Sequence, residues 1–119
     1  MSTYVVLLPG NESTWEHATE EQRSATYAKH GEFARLLEER GHKATGGAEL
    51  LHSTTAKIVR SDGSGTSVTD GPYAETVEQL TGFYVVDTDD LDDLLEICGV
   101  LAEGGAVEVR GTVDHSGDM

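Results

Sequence analysis

The chain has a single cysteine, Cys98, in 119 residues, which excludes an intrachain disulfide and a cysteine-rich zinc cage and fits a reducing cytoplasm. No apolar run approaches the roughly 20 residues that cross a bilayer. The first ten residues hold only Tyr4 to Leu8 as an apolar stretch, without a cationic start, so neither an export leader nor a membrane partner is expected. Positive charge is scarce as well: 8 Lys and Arg stand against 22 Asp and Glu, a net charge of −14. The scarcity is lopsided, because residues 61–119 contain only Arg110 against 14 acids, whereas residues 1–60 hold 7 cations against 8 acids. A surface of that sign repels phosphate backbones and anionic headgroups, so nucleic acid and membrane are excluded as partners. A salty cytoplasm and a compositionally biased genome would each produce such acidity.

What remains is enough for one ordinary domain, taken as residues 1–119 with a polar tail over 114–119. With glycine counted and tyrosine left out, 54 of the 119 residues are apolar, a globular share.

Tyr4 to Leu8 is short and β-branched and is followed by Pro9-Gly10, which predicts a central strand buried on both faces. Thr19 to Gln22 forms a T-x-x-Q capping box, and the apolar spacing through Leu37 predicts a helix that ends before Gly41. The stretch from Ala44 to Leu51 is interrupted by Gly46-Gly47. Ala56 to Arg60 and Thr66 to Thr69 flank Ser61 to Gly65 as a hairpin would. Asp70-Gly71-Pro72 then forces a loop. Phe83 to Val86 is the next strand, and Asp87 or Thr88 caps a second helix whose apolar stripe runs from Leu91 to Leu101. Its acidic first turn suits the positive end of a helix dipole rather than a cation site. Val107, Val109 and Val113 complete a last alternating strand.

A long helix between the first two strands and another between the last two is the split βαβ plan. The expected fold is therefore α+β and ferredoxin-like, an antiparallel sheet with both helices on one face. The other face needs cover that one chain of this length cannot supply, which predicts a homodimer packed sheet to sheet.

Asp70-Gly71-Pro72-Tyr73-Ala74-Glu75-Thr76, followed by Glu78-Gln79 and Gly82-Phe83-Tyr84, resembles the DGPF-type branch of the YCII-related family. The opening Tyr4 to Leu8, Trp15 ahead of the helix, Tyr27-x-x-His30-x-x-Phe33 and Val107 to Arg110 agree with it, so the likeness covers residues 3–113. The resemblance implies a dimeric α+β barrel with one pocket per subunit, a His and Asp acid–base pair, and a link to an extracytoplasmic-function sigma factor. Two positions depart from the pattern. Tyr73 stands where the branch has Phe, and Val77 where it commonly has Lys, which removes a cation beside Glu75 and favours an uncharged or cationic ligand.

His30 precedes Phe33, Ala34 and Leu37 by three, four and seven residues, so its imidazole belongs to the inward helix face. It is either a core histidine bonded to a carbonyl or a general base or acid. Asp70 would orient that imidazole from a rigid turn, or else bond the backbone two residues on. Tyr73 and Glu75 are candidate substrate contacts, and Gly71 and Pro72 shape the loop. The remaining histidines show no metal-ligand spacing and no glycine pattern suits a phosphate, so neither metal nor cofactor is expected. Two functions follow from these residues: a cofactor-free enzyme acting on a small molecule with His30 and Asp70 as its catalytic pair, or a noncatalytic binding or regulatory module.

Overall fold

The computed structural model describes residues 1–115. Strand β1 (Ser2–Asn11) runs past the expected stop at Pro9-Gly10, because a register shift between Leu8 and Pro9 lets a residue without an N–H sit in the ladder. Only Val6 of this strand is fully buried, a correction to the expectation of burial on both faces. A short helix absent from the sequence expectations, α1 (Glu12–Glu16), follows; the Asn11 side chain caps it by accepting from the Thr14 N–H at 3.2 Å.

Helix α2 (Glu20–Glu39) starts at the expected capping box, where Thr19 Oγ1 accepts from the Gln22 N–H at 3.1 Å and Gln22 Oε1 accepts from the Thr19 N–H at 2.9 Å. It closes through Gly41, whose φ of +82° lets its N–H reach Glu38 O at 3.3 Å while the His42 N–H reaches Leu37 O at 2.9 Å. Strand β2 (Lys43–Glu49) is continuous through Gly46-Gly47, where the sequence suggested a break; a bulge between Ala44 and Gly46 absorbs the irregularity. After a 3-10 turn at Ser53–Thr55 come β3 (Lys57–Ser61) and β4 (Thr66–Asp70), the expected hairpin. The Asp62 carboxylate closes its tip by accepting from the N–H groups of Ser64 at 2.9 Å and Gly65 at 3.0 Å.

Strand β5 (Glu78–Thr88) starts well before Phe83. Helix α3 (Leu91–Cys98) is capped by Asp90, which accepts from the Asp93 N–H at 3.0 Å, rather than by Asp87 or Thr88. It ends sooner than the apolar stripe suggests, and Leu101 packs from the segment leading to a 3-10 turn at Ala102–Gly104. Strand β6 (Glu108–Gly111) stops short of Val113, which is exposed. Of the expected tail, residues 116–119 lie outside the described residues.

The fold is α+β. Strands pair antiparallel in the order β2-β5-β1-β6, and β3–β4 forms a separate two-stranded sheet. Val6 lies opposite Tyr84 on one side and Val109 on the other, which puts these side chains on one face. That face meets Phe33 and Leu37 of α2 and Leu94, Ile97 and Cys98 of α3 in a single core. Burial pushes the Cys98 thiol up to about 11, so it stays an un-ionised packing group. The opposite face carries the cross-strand pairs Val5–Val85 and Leu7–Phe83, all four only half-buried.

Candidate functional site

His30 is carried by the middle of α2, one turn before Phe33, on the side that faces β5. Its Nδ1 shares a 2.7 Å hydrogen bond with the Tyr84 hydroxyl, and the two rings stack at 5.8 Å. Tyr84 also packs against Phe33 of the same helix, with ring centroids 4.9 Å apart. Beside Tyr84 in the sheet runs β2, whose Gly47 is its register partner and leaves no room for a side chain. A Cβ there would sit 3.2 Å from Tyr84 Cδ1 and 2.5 Å from the Phe83 carbonyl oxygen.

Burial acts on both partners of this hydrogen bond. It lowers the His30 imidazole below its ordinary value by disfavouring the cation, and it raises the Tyr84 phenol. A smaller upward pull on His30 comes from Glu49, at the end of β2. Glu49 also accepts from the Tyr27 hydroxyl with both carboxylate oxygens at 3.1 Å, which raises the Tyr27 phenol. Tyr27 in turn meets Trp15 edge to face at 5.6 Å. Arg23 lies over the Trp15 ring at 5.3 Å and donates to the Trp15 carbonyl at 2.9 Å, so the indole fastens α1 to α2.

The imidazole lines a cleft of about 290 Å³ with Thr26 and Lys29 of the same helix and with Leu101, Glu103 and Gly104. Positions 26, 29 and 30 share one helix face, as i, i+3 and i+4 must. Lys29 and Glu103 form an ion pair across the cleft, so its cation is already neutralised. A neutral imidazole on such a wall accepts a proton near neutral pH without competing protonation.

The carboxylate expected beside His30 has another partner. Asp70 is exposed and takes the ammonium of Lys57 at 2.5 Å, its opposite number in the β3–β4 ladder, which holds its carboxyl below the usual range. Among the described residues no hydrogen bond or ion pair joins His30 to Asp70. The alternative, a bond from Asp70 to the backbone two residues on, is not made either, because that residue is Pro72 and has no N–H. Gly71 packs tightly: its N–H donates to the Ala56 carbonyl at 2.7 Å, and a Cβ on it would meet the Ala56 Cβ at 2.7 Å. Pro72 follows it through a cis peptide bond. Tyr73, 81% exposed, and Glu75 point to solvent and are not among the residues that line the cleft.

Tyr84 and Glu49 are the site residues that spacing did not select. The signal for Tyr84 was present, since strand alternation places it on the same face as the core residue Val86. Glu49 had none, because its position depends on how β2 pairs with β5.

Two further polar clusters occur. His42 is buried between Thr88 and Asp93, with Nδ1 2.6 Å from Thr88 Oγ1 and Nε2 2.7 Å from Asp93 Oδ2. Glu12 accepts from the Ser53 N–H at 2.6 Å and from its hydroxyl at 2.5 Å, while His52 Nε2 reaches Glu16 at 2.9 Å. Among the described residues no group of three or more His, Cys, Asp or Glu is arranged to hold a metal ion, and no helix is long and apolar enough to cross a membrane.

The pairing of a half-buried imidazole from the long helix with a phenol from the central sheet is set within a chain whose residues 3–110 match the YCII-related domain. The protein belongs to the YCII-related family. It is also 42% identical over 67 residues to an uncharacterised protein of Rhizobium meliloti (strain 1021), a match covering 53% of this chain and 54% of that relative. The match thus spans about half the length of that curated relative.

Proposed function

We propose that the protein is a small cofactor-free enzyme that moves a proton on an aromatic or carbonyl-bearing metabolite, with His30 as the general base or acid. The observation that carries this reading is the 2.7 Å contact between His30 Nδ1 and the Tyr84 hydroxyl beside an open cleft. A tyrosine at Nδ1 fixes the ring and leaves Nε2 for a ligand. In this chain Tyr84 therefore does the orienting that the sequence assigned to Asp70. The cleft, at about 290 Å³, suits a small ligand. With Lys29 neutralised by Glu103 and Glu49 close to His30, an uncharged or cationic ligand fits better than an anion.

The same reading makes the chain a cytoplasmic, DGPF-type member of its family with a ferredoxin-like sheet. Its open sheet face, with Val5, Leu7, Phe83 and Val85, is covered by a second copy to give a dimeric α+β barrel. Asp70, Gly71, Pro72, Tyr73 and Glu75 contribute as the motif loop rather than as direct partners of His30.

His30→Gln and Tyr84→Phe test the enzymatic reading, with ligand screening by protein-observed NMR and turnover assays on the hits. A folded His30→Gln variant that loses turnover supports it, and one that turns substrate over at the wild-type rate contradicts it. A noncatalytic regulatory module, the second reading, draws on the exposed acids Asp89, Asp90 and Asp92 at the start of α3. These would meet a basic surface such as that of an extracytoplasmic-function sigma factor. Association with such a partner that weakens steeply with salt, without any turnover, would favour it.

A further inference from the structure

The cleft beside His30 has one cation and one acid in its lining, and the two bind each other. Thr26, Leu101 and Gly104 carry no charge, and burial disfavours the His30 cation. That leaves the Lys29 ammonium and the Glu103 carboxylate, paired across the opening. Among the described residues neither has a second hydrogen-bond or ionic partner, so each charge depends on the other.

The backbone brings them together. Lys29 stands one turn before Phe33, which is fully buried, and beside His30, which Tyr84 holds. This face of α2 therefore cannot rotate away. Glu103 belongs to the 3-10 turn Ala102–Gly104, which follows directly on Leu101. Leu101 packs against the core and its N–H donates to the Cys98 carbonyl at 3.0 Å, while the Gly105 N–H closes the turn on the Ala102 carbonyl at 3.3 Å.

The charge of the lining then turns on a single carboxylate. With Glu103 in place the lining sums to zero, within a chain of net charge −14, so an anion meets no net attraction on approach. Thr26 offers no compensating donor, because its hydroxyl is given to the Gln22 carbonyl at 3.2 Å. A neutral molecule with a carbonyl or an aromatic ring faces no such opposition. Without the Glu103 charge, the same wall would present an unpaired ammonium beside a neutral imidazole, which is an anion site.

We infer that Glu103 is the specificity-determining residue of the cleft: by holding Lys29 it turns away carboxylate- and phosphate-bearing metabolites and restricts the cleft to molecules without net negative charge. This rests on the reading of the cleft as a ligand site and adds to it the residue that sets the charge of the ligand.

Two probes of nearly equal shape test it, benzenesulfonate, which is an anion near neutral pH, and benzenesulfonamide, which is neutral there. Each is titrated into the full chain and followed at the amides of Lys29, His30 and Gly104 by two-dimensional NMR. Glu103→Gln should bind benzenesulfonate at least about tenfold more tightly than the wild type, the weight of one charge-assisted contact. Benzenesulfonamide should not distinguish the two proteins, and adding Lys29→Met to Glu103→Gln should abolish the gain. The Glu103 side chain is 63% exposed, and Glu103→Ser serves as a second variant if Glu103→Gln fails to fold. Absence of any gain for benzenesulfonate in a folded variant overturns the inference, as does a gain that survives Lys29→Met. Turnover by His30→Gln is a separate readout, so loss of the proton-transfer reading and loss of the charge filter are told apart.

Discussion

His42 donates from Nε2 to the Asp93 carboxylate at 2.7 Å, joining the start of β2 to the first turn of α3. With Nε2 carrying the proton, Nδ1 accepts from the Thr88 hydroxyl at 2.6 Å, and Thr88 Oγ1 itself accepts from the Asp90 N–H at 2.9 Å. Arg40 reaches the other Asp93 oxygen at 2.9 Å. The order hydroxyl, imidazole, carboxylate resembles a nucleophilic relay, but Thr88 is 2% exposed and His42 is 7% exposed, so no substrate can reach the hydroxyl. It is a polar clamp between two elements.

Breaking that clamp should destabilise the fold. His42→Ala removes a buried ring and strands the Thr88 hydroxyl, a loss of about 1–3 kcal/mol that urea denaturation would measure. Hydrogen bonding to His42 lowers the Asp93 carboxyl more than its own desolvation raises it, with Arg40 adding to the lowering. A carboxyl depressed in the folded state stabilises above the ordinary carboxylate range, and that contribution is lost as pH falls through the depressed value. Thermal melts from pH 6 downward should therefore show a shallower acid-side decline for Asp93→Asn than for the wild type.

Gly47→Ala should damage the site from outside it. At φ +147° an alanine is strained, and its Cβ would overlap the Phe83 carbonyl. Strain and displacement together should cost about 2 kcal/mol or more. Because β2 would have to lift from Tyr84, the side-chain NMR signals of His30 and Tyr84 should shift as well. Unchanged spectra and stability would show that this close approach does not hold the site.

Glu12 should behave as the anchor of the hairpin root. Burial pushes its carboxyl up, yet the two hydrogen bonds from Ser53 and the nearby His52 together hold it below the usual range. Glu12→Ala should speed amide exchange at Ser53 and through β3 while leaving β1 and β5 protected, since the lost contacts are local. Equal loosening of β1 and β5 would contradict a local role.

Glu49→Gln should lower the titration midpoint of His30 further, because the Glu49 charge pulls that imidazole upward. It should also bring the Tyr27 phenol down toward its ordinary value, since the hydrogen bond to Glu49 is the main cause of its rise. Proton NMR of the histidine and ultraviolet titration of the tyrosines would follow the two effects independently.

Much of the framework was legible in the sequence, because local rules decided it. The capping box at Thr19 and Gln22, the stop at Gly41 and the hairpin around Asp62 to Gly65 are short-range chemistry, and each appears where the pattern put it. The inward position of His30 followed from its spacing to Phe33 and Leu37. Long-range pairing was not legible. Asp70 binds Lys57 because strand register sets them opposite one another, and register depends on the turn that joins β3 to β4. Tyr84 meets His30 only once α2 has packed against β5. The caps of α1 and α3 were missed because Asn11 and Asp90 lie in runs of polar residues with more than one plausible cap.

The central claim is that His30 is a ring held neutral and oriented by Tyr84 on the wall of the cleft. The most direct test is a pH titration of the His30 ring by nitrogen-detected NMR, in the wild type and in Tyr84→Phe. The account predicts a wild-type midpoint below the ordinary histidine value of about 6.5 and an Nδ1 resonance that moves when the phenol hydroxyl is removed. A midpoint at or above the ordinary value, with nitrogen shifts identical in the two proteins, would contradict it.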